Sequence, residues 1–597
     1  MASLKPTPTT DIHKDPGPME TERPQTVDTD NDKQDGVRVA EAITSSWSMK
    51  SLIFVYACMW MLYFINGLNS SLTANLSAYI TSDFSGHSLL TVITVVTSVM
   101  SAACLMPIAK VLNLWDRTLG IFIMLVIAIM GLIMMACCHN IATYCAAQVR
   151  SYKTLLTSSQ GRDQHGLLDI PSKAFYTVGF TGIIFCVDVM TSDTSSLRNR
   201  GIAFAFTSSP NVITAFAGAP LSNQFHETNW KWAYGTICII LPIVALPLIV
   251  TWELAKRKAD KEGRLQYKPR STRTWRQSVW FYIVEFDVGG IFLMTGGLIL
   301  FLVAFNIAGN TTGEWKSAKI IAMIVVGFFV LVVFVVYEHW GAPKPFIPYR
   351  LLTNRTVIGA CLLDITYQVS YYCWSSYFTS YLQVVYNTSL TQAGYISAIF
   401  DLMDPIWLIG CGFLMRVTGR FKWLLMGALP LYLLANGLMI YFRSPGHSFW
   451  YMCMCQIFMA VGGGTFILIE QVAVLAASNH EEYAAMLALL STFGNLGGAV
   501  GSSVSGAIWT NTLPVKLREY LPADVKDQWS DIYESLDVQL SYPVGSAIRT
   551  AIQNAYAYSQ RNMMIAGIAI MSLSIAWVLM MKNIKIKKNQ DVSQILF

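Results

Sequence analysis

Charge is what this sequence has least of: 13% of its 597 residues are Asp, Glu, Lys or Arg, against ~25% in soluble domains. So little charge cannot coat a water-facing globule. Nor is it evenly spread, since polar punctuation separates long apolar runs. A run of ~20 apolar residues spans the hydrocarbon core as a helix, whereas a membrane β-barrel would show short alternating segments. The sequence also has no cysteine framework. Cys104, Cys186, Cys238, Cys361, Cys411 and Cys453 lie inside apolar runs, where a reduced thiol acts as a small hydrophobe. No cysteine pair has zinc-site spacing. There is no G-x-x-x-x-G-K-[ST] loop to cradle a nucleotide, which argues against ATP-driven work. A nucleophile elbow and paired catalytic carboxylates on a soluble domain are also missing, so an enzyme is not expected. The net charge of +6 sits in loops flanking the apolar runs and points away from nucleic acid.

What is present is a series of fourteen predicted spans, an all-α polytopic membrane protein. They cover 50–68, 86–108, 118–138, 175–192, 202–220, 232–252, 286–306, 318–338, 356–381, 391–414, 422–442, 449–473, 483–509 and 562–581. Residues 1–46, rich in Thr, Pro, Asp and Lys, read as a disordered tail. A six-helix half (47–255) is followed by a basic loop (256–283) and two extra spans (284–340). A second half (341–581) carries an outer loop at 510–560, and a short tail (582–597) ends the chain. Basic residues mark the cytoplasmic side. They fill the loop after span six (Lys256 to Arg276), the turns at Lys110, Arg117, Arg198, Arg200, Arg416 and Arg420, and the tail from Lys582. The first outer loop, 69–85, has neither Lys nor Arg. Both termini are therefore expected in the cytoplasm. The sequons at Asn310 and Asn387 fall outside, as glycosylation would need.

The two halves share a turn. After span two the chain reads Ala109-Lys110-x-x-Asn113-x-x-Asp116-Arg117-x-x-Gly120, and after span ten Gly412-x-x-x-Arg416-x-x-Gly419-Arg420. Repeated halves around a midplane site are a common plan for secondary transporters.

The first turn resembles the signature loop of the major facilitator superfamily, with Asn113 and Asp116 departing from its usual pattern. Sharper motifs follow: Asp193-Thr-Ser-Ser-Leu-Arg198-Asn-Arg200-Gly201, Ala215-Phe-Ala-Gly218-Ala-Pro220, Trp230-Lys-Trp232-Ala-Tyr234-Gly235, Phe286-Asp287-Val-Gly289-Gly290 and Leu540-Ser-Tyr542-Pro543 through Arg549. Their order along residues 50–582 resembles fungal siderophore–iron transporters of the fourteen-span branch. The resemblance implies a major facilitator fold and import of a ferric siderophore. Iron would arrive already chelated, so no cofactor is expected. It further implies a monomer in the lipid bilayer of the plasma membrane or of endosomal vesicles. Residues 150–174 interrupt the resemblance and read either as a retained intron or as a genuine outer-loop insertion.

Ionisable groups within spans are costly and default to functional roles. Asp188 in span four, Asp364 in span nine and Glu470 in span twelve fall on cavity-lining helices of the superfamily, while span one carries Asn66 and Asn69 instead. A partly dehydrated carboxylate holds a proton more readily than one in water. These three are the proton-coupling candidates, and the alternative is that each merely accepts hydrogen bonds or pairs with a loop arginine. Asp401 and Asp404 add two acids in span ten. Span nine carries a polar-aromatic stripe of Asp364, Tyr367, Gln368, Tyr371 and Trp374 at helical spacing. Aromatic faces and hydrogen-bond donors suit a large oxygen-rich chelate. Substrate-binding candidates are accordingly Asn66, Asn69, Tyr367, Gln368, Tyr371 and Trp374, with Tyr542 and Arg549 from the outer loop. Tyr377 and Tyr381 are attributed to the interface belt. Gating candidates are Lys110, Asp116, Arg117, Asp193, Arg198, Arg200, Arg416 and Arg420. Gly494, Gly498, Ser502 and Gly506 form a close-packing face, and Gly462-Gly463-Gly464 permit packing or bending. Proton symport is the expected mechanism, with a drug:proton antiporter or a non-transporting siderophore sensor as rivals.

Overall fold

A backbone in hydrocarbon must satisfy its own polar groups, and this chain does so almost entirely with helices. The computed structural model describes residues 35–83, 90–136, 172–265, 274–310, 314–346 and 349–584. Among them, thirteen helices are long and apolar enough to cross a membrane. The expected ninth span is a helix of 21 residues, Arg355–Ser375, but it falls outside those thirteen. Its polar-aromatic stripe is the reason, so the least apolar span is also the one richest in candidate site residues.

Two seams join the halves. Spans two and thirteen lie against each other, and Thr492 Oγ1 donates to Ala102 O at 3.3 Å. Spans five and ten form the second seam. A Cβ on Gly412 would come within 3.0 Å of the Gly201 carbonyl carbon, and one on Gly394 within 2.8 Å of Ala219. Span seven packs on span eight and also on spans two and thirteen, so the inserted pair braces the first seam. Asp287 fixes the basic end of the insertion. It caps Val288–Ile307 by accepting from Gly290 N, and also accepts from Tyr337 Oη at 3.0 Å and Phe346 N at 3.1 Å.

Four expectations change. Asp35–Ser46 is a helix rather than disordered tail, because Val37, Ala40 and Ile43 form one apolar stripe buried against the first half. Residues 1–34 lie outside the described region, as does the atypical segment up to residue 171. Span nine is not continuous to 381. It stops at Ser375 and resumes as Phe378–Tyr386, with Tyr377 left-handed at φ 57°. A tyrosine in that region costs about 1–3 kcal/mol, which surrounding contacts must offset. Its ring stacks on Trp509 at 4.0 Å, and Trp509 meets Tyr556 edge-on. Freed carbonyls find partners in Arg443, which donates to Trp374 O, and Gln560, which donates to Ser376 O. Tyr377 and Tyr381 are therefore core residues, 2% and 0% exposed, and not an interface belt. Finally, span thirteen runs on to Tyr520 and span fourteen begins at Ala547. The outer connection shrinks to 521–546, with helices Trp529–Glu534 and Leu536–Ser541 inside it.

Candidate functional site

The three coupling candidates fall into two places that mirror each other across the halves. In the first half, Tyr63 of span one donates its hydroxyl to Asp188 of span four. Arg198 and Arg200 do not pair with Asp188. Arg198 Nε donates to Arg416 O at 3.1 Å, and Arg200 Nη2 donates to Ser192 O and Ser195 O at 3.0 Å. In the second half, spans nine and twelve bring Asp364 and Glu470 into one cavity of about 220 Å³, lined also by Ser98, Gln368, Tyr372, Gln471 and Asn495. Gln368 Nε2 donates weakly to Asp364 Oδ1 at 3.4 Å. Glu470 is 1% exposed and its Oε1 has no hydrogen-bond partner. Asp364 rests on Gly494, where a Cβ would press on its carboxyl carbon at 3.0 Å. No described lysine, arginine or histidine forms an ion pair with any of these three acids. A buried carboxylate without a counter-ion is costly to keep charged.

The stripe on span nine divides. Asp364 and Gln368 face the cavity, while Tyr367, Tyr371 and Trp374 join an aromatic cluster with Tyr432, Phe466, Phe378 and Phe400. Asn66 is half-buried on span one. Asn69 belongs to packing inside the first half, donating to Tyr176 Oη at 2.5 Å. Arg549 is also not a ligand-facing residue. It is 0% exposed and donates to the carbonyls of Gln383, Val384 and Gln539. The basic residue of an outer loop has become the first turn of span fourteen, so its charge is spent on backbone. Tyr542 stays half-exposed on the outer connection, 3.4 Å from Gln528 Oε1. Tyr542→Ala is expected to weaken apparent substrate affinity by a few-fold without reducing surface delivery. Unchanged uptake curves would leave the ring as cover.

At the basic face the gating candidates are mostly tied down. Arg117 and Asp193 form a buried ion pair at 3.0 Å between the signature turn and the end of span four. Lys256 reaches Asp116 at 2.7 Å. Lys110 donates to Glu285 O at 2.7 Å, which links the turn to the inserted spans rather than to the other half. Arg200 lies over the Tyr483 ring at 4.5 Å, crossing between halves. The side chains of Arg416 and Arg420 are exposed. The opposite face is also drawn together, by Thr91 and Tyr377 at 3.4 Å and by Asn75 against Gly394. Contacts therefore join the halves at both faces.

Sequence reasoning missed Tyr63 and Arg443. Tyr63 carried no signal, because a tyrosine in an apolar run is ordinary. Arg443 did carry one: it ends an apolar run on the side otherwise poor in basic residues.

Two helical halves joined along paired seams make this a polytopic membrane protein of the major facilitator fold. A solved peptide transporter POT mutant in complex with alafosfalin shares the fold, with a TM-score of 0.51 at 13% identity, covering 92% of this chain and 100% of that one. A family model described as fungal trichothecene efflux pump (TRI12) matches residues 176–432. Among curated proteins, MFS siderochrome iron transporter D of Aspergillus fumigatus is 54% identical over 93% of this chain and 89% of its own. Siderophore iron transporter mirB of Emericella nidulans is 45% identical over 94% and 89%. The chain belongs to the MFS siderochrome iron transporters.

Proposed function

We propose that this protein imports ferric siderophore complexes by proton symport. The identity of 54% across nearly the whole length of a named siderochrome iron transporter carries the substrate class. The Asp364–Glu470 cavity supports the proton as driving ion, because two acids without a counter-ion cannot both stay charged at low cost. Iron enters inside its chelate, so the chain needs no metal ligands or resident cofactor of its own. The carrier works as a monomer in the fungal plasma membrane, with both termini and the basic face in the cytoplasm. The efflux-pump match over 176–432 makes an exporter the second reading, and direction of movement separates the two.

The test is uptake of radioiron on several siderophores, by cells lacking their own carriers. Accumulation should collapse with a protonophore and persist when ATP is depleted under an imposed proton gradient. Indifference to that gradient would overturn symport. Net extrusion of preloaded complex would favour the efflux reading.

A further inference from the structure

Three consecutive glycines on span twelve each seat a side chain from a different helix. A Cβ on Gly462 would meet Tyr432 Cβ of span eleven at 2.7 Å, and one on Gly463 would meet Tyr367 Oη of span nine at 2.7 Å. One on Gly464 would collide with Asp404 Oδ1 of span ten. The glycines therefore place a phenol and a carboxylate side by side against the helix that carries Glu470. Gly463 and Glu470 are two turns apart on one helix face (i, i+7). On span nine, Tyr367 lies one turn from Asp364.

Asp404 as a whole is half-buried, with its Oδ1 enclosed. Tyr367 is 2% exposed. Asp404 Oδ1 and Glu470 Oε1 are both buried without a hydrogen-bond partner. A buried carboxylate oxygen without a partner is costly, which sets Asp404 apart from an ordinary packing residue. Its ionisable neighbours are Asp401 and Cys411 on its own helix, Tyr367 and Tyr371 on span nine, and Glu470 beyond them on span twelve. No described ion pair involves it. Span ten is also the helix that meets span five of the other half, and Asp401, one turn before Asp404, is exposed.

We propose that Asp404 and Tyr367 form a proton path between the interface of the two halves and the Asp364–Glu470 cavity, a deepening that rests on the symport reading. Asp404 takes up a proton from the passage between the halves. The Tyr367 hydroxyl accepts that proton as it passes its own to water, which carries it the remaining two turns (roughly 10 Å) to Glu470, so the phenol ends neutral and no charge is left on it. The Gly463 and Gly464 seats hold donor and acceptor in place, and a side chain at either would push them apart.

The experiment measures three quantities in membrane vesicles with a radioiron-labelled ferric trihydroxamate that wild type carries. They are gradient-driven accumulation, counterflow against unlabelled complex, and proton entry by a trapped pH dye. Counterflow needs substrate binding and the conformational cycle but no net proton movement. For Asp404→Asn the ratio of counterflow to accumulation should rise about tenfold or more, with proton entry lost in parallel. Tyr367→Phe should shift the ratio in the same direction while keeping the ring, and Asp404→Glu should restore part of the accumulation. Gly464→Ala is a second route, displacing the carboxylate without removing it. A normal ratio in Asp404→Asn would overturn the path, as would loss of counterflow together with accumulation, which would make Asp404 a substrate contact. Should Glu470→Gln lose coupling while Asp404→Asn keeps it, only the path falls. If wild type itself ignores the gradient, the symport reading falls and the path with it.

Discussion

Glu470→Gln is expected to reduce accumulation to simple equilibration, and Asp364→Asn to do nearly the same. One proton entering with a neutral complex contributes about 2.3 kcal/mol per 100 mV of membrane potential. That energy corresponds to roughly fifty-fold accumulation at 1.36 kcal/mol per tenfold. A carrier that cannot exchange the proton has no access to it, and its inside-to-outside ratio should approach about one. The amides keep the shape and most of the hydrogen bonding. Glu470 Oε1 has no partner to lose, and Asp364 gives up only a long contact with Gln368. The variants should therefore reach the surface, bind substrate and fail at concentration. Asp188→Asn is the internal comparison, because Asp188 is held by a hydroxyl donor from Tyr63 and the pair above is not. Full accumulation in both Glu470→Gln and Asp364→Asn would remove the cavity acids from the coupling.

The acids were legible one by one, and their grouping was not. A carboxylate in an apolar run stands out from its neighbours, so Asp188, Asp364, Asp404 and Glu470 announce themselves. Which of them meet depends on how spans nine, ten and twelve rotate, and hydropathy carries no record of rotation. The glycine triplet held that information in a form that needed partners to read: three seats, for Tyr432, Tyr367 and Asp404. The basic turns were legible for the same reason as the acids, but their bonds were not. Lys110 turned toward Glu285, which lies in the insertion between the halves. The helix Asp35–Ser46 was hidden because a stripe of three small or branched apolar residues is too short to register inside a polar segment. Span nine was read as unbroken because no proline or glycine marks residues 375–378. The break is imposed by tertiary partners, namely Trp509, Arg443 and Gln560.

Arg549 shows how a loop residue can be misjudged, and its substitution should give the largest loss of folded protein. In sequence it follows Tyr542-Pro543 and offers a positive charge on an outer segment, a natural partner for an anionic chelate. In the fold, Ser546 caps the helix that starts at Ala547 by accepting from Arg549 N at 3.1 Å, and this turns the guanidinium inward. There Nε and Nη2 donate to Val384 O and Gln383 O at 3.1 Å, and Nη1 donates to Gln539 O. The first two carbonyls end the outer half of the broken ninth span, and the third belongs to the outer connection. One side chain thus ties span fourteen, the Phe378–Tyr386 segment and residues 521–546 together. Arg549→Ala leaves the Gln383 and Gln539 carbonyls without this donor, whereas Val384 O keeps a contact from Gln553 at 3.3 Å. At ~1.5–3 kcal/mol for a buried hydrogen bond from a charged donor, losing these contacts costs about 3 kcal/mol. Arg549→Lys keeps the charge but cannot serve three carbonyls in a fixed fork, so it should recover only part of that loss. The check is thermal unfolding of purified protein alongside surface delivery, read against uptake per delivered molecule. A stability loss with near-normal uptake per surviving molecule, the same for neutral and charged siderophores, is the expected result. If Arg549→Ala is as stable as wild type and loses affinity only for a negatively charged complex, the guanidinium is a substrate contact and the clamp is wrong.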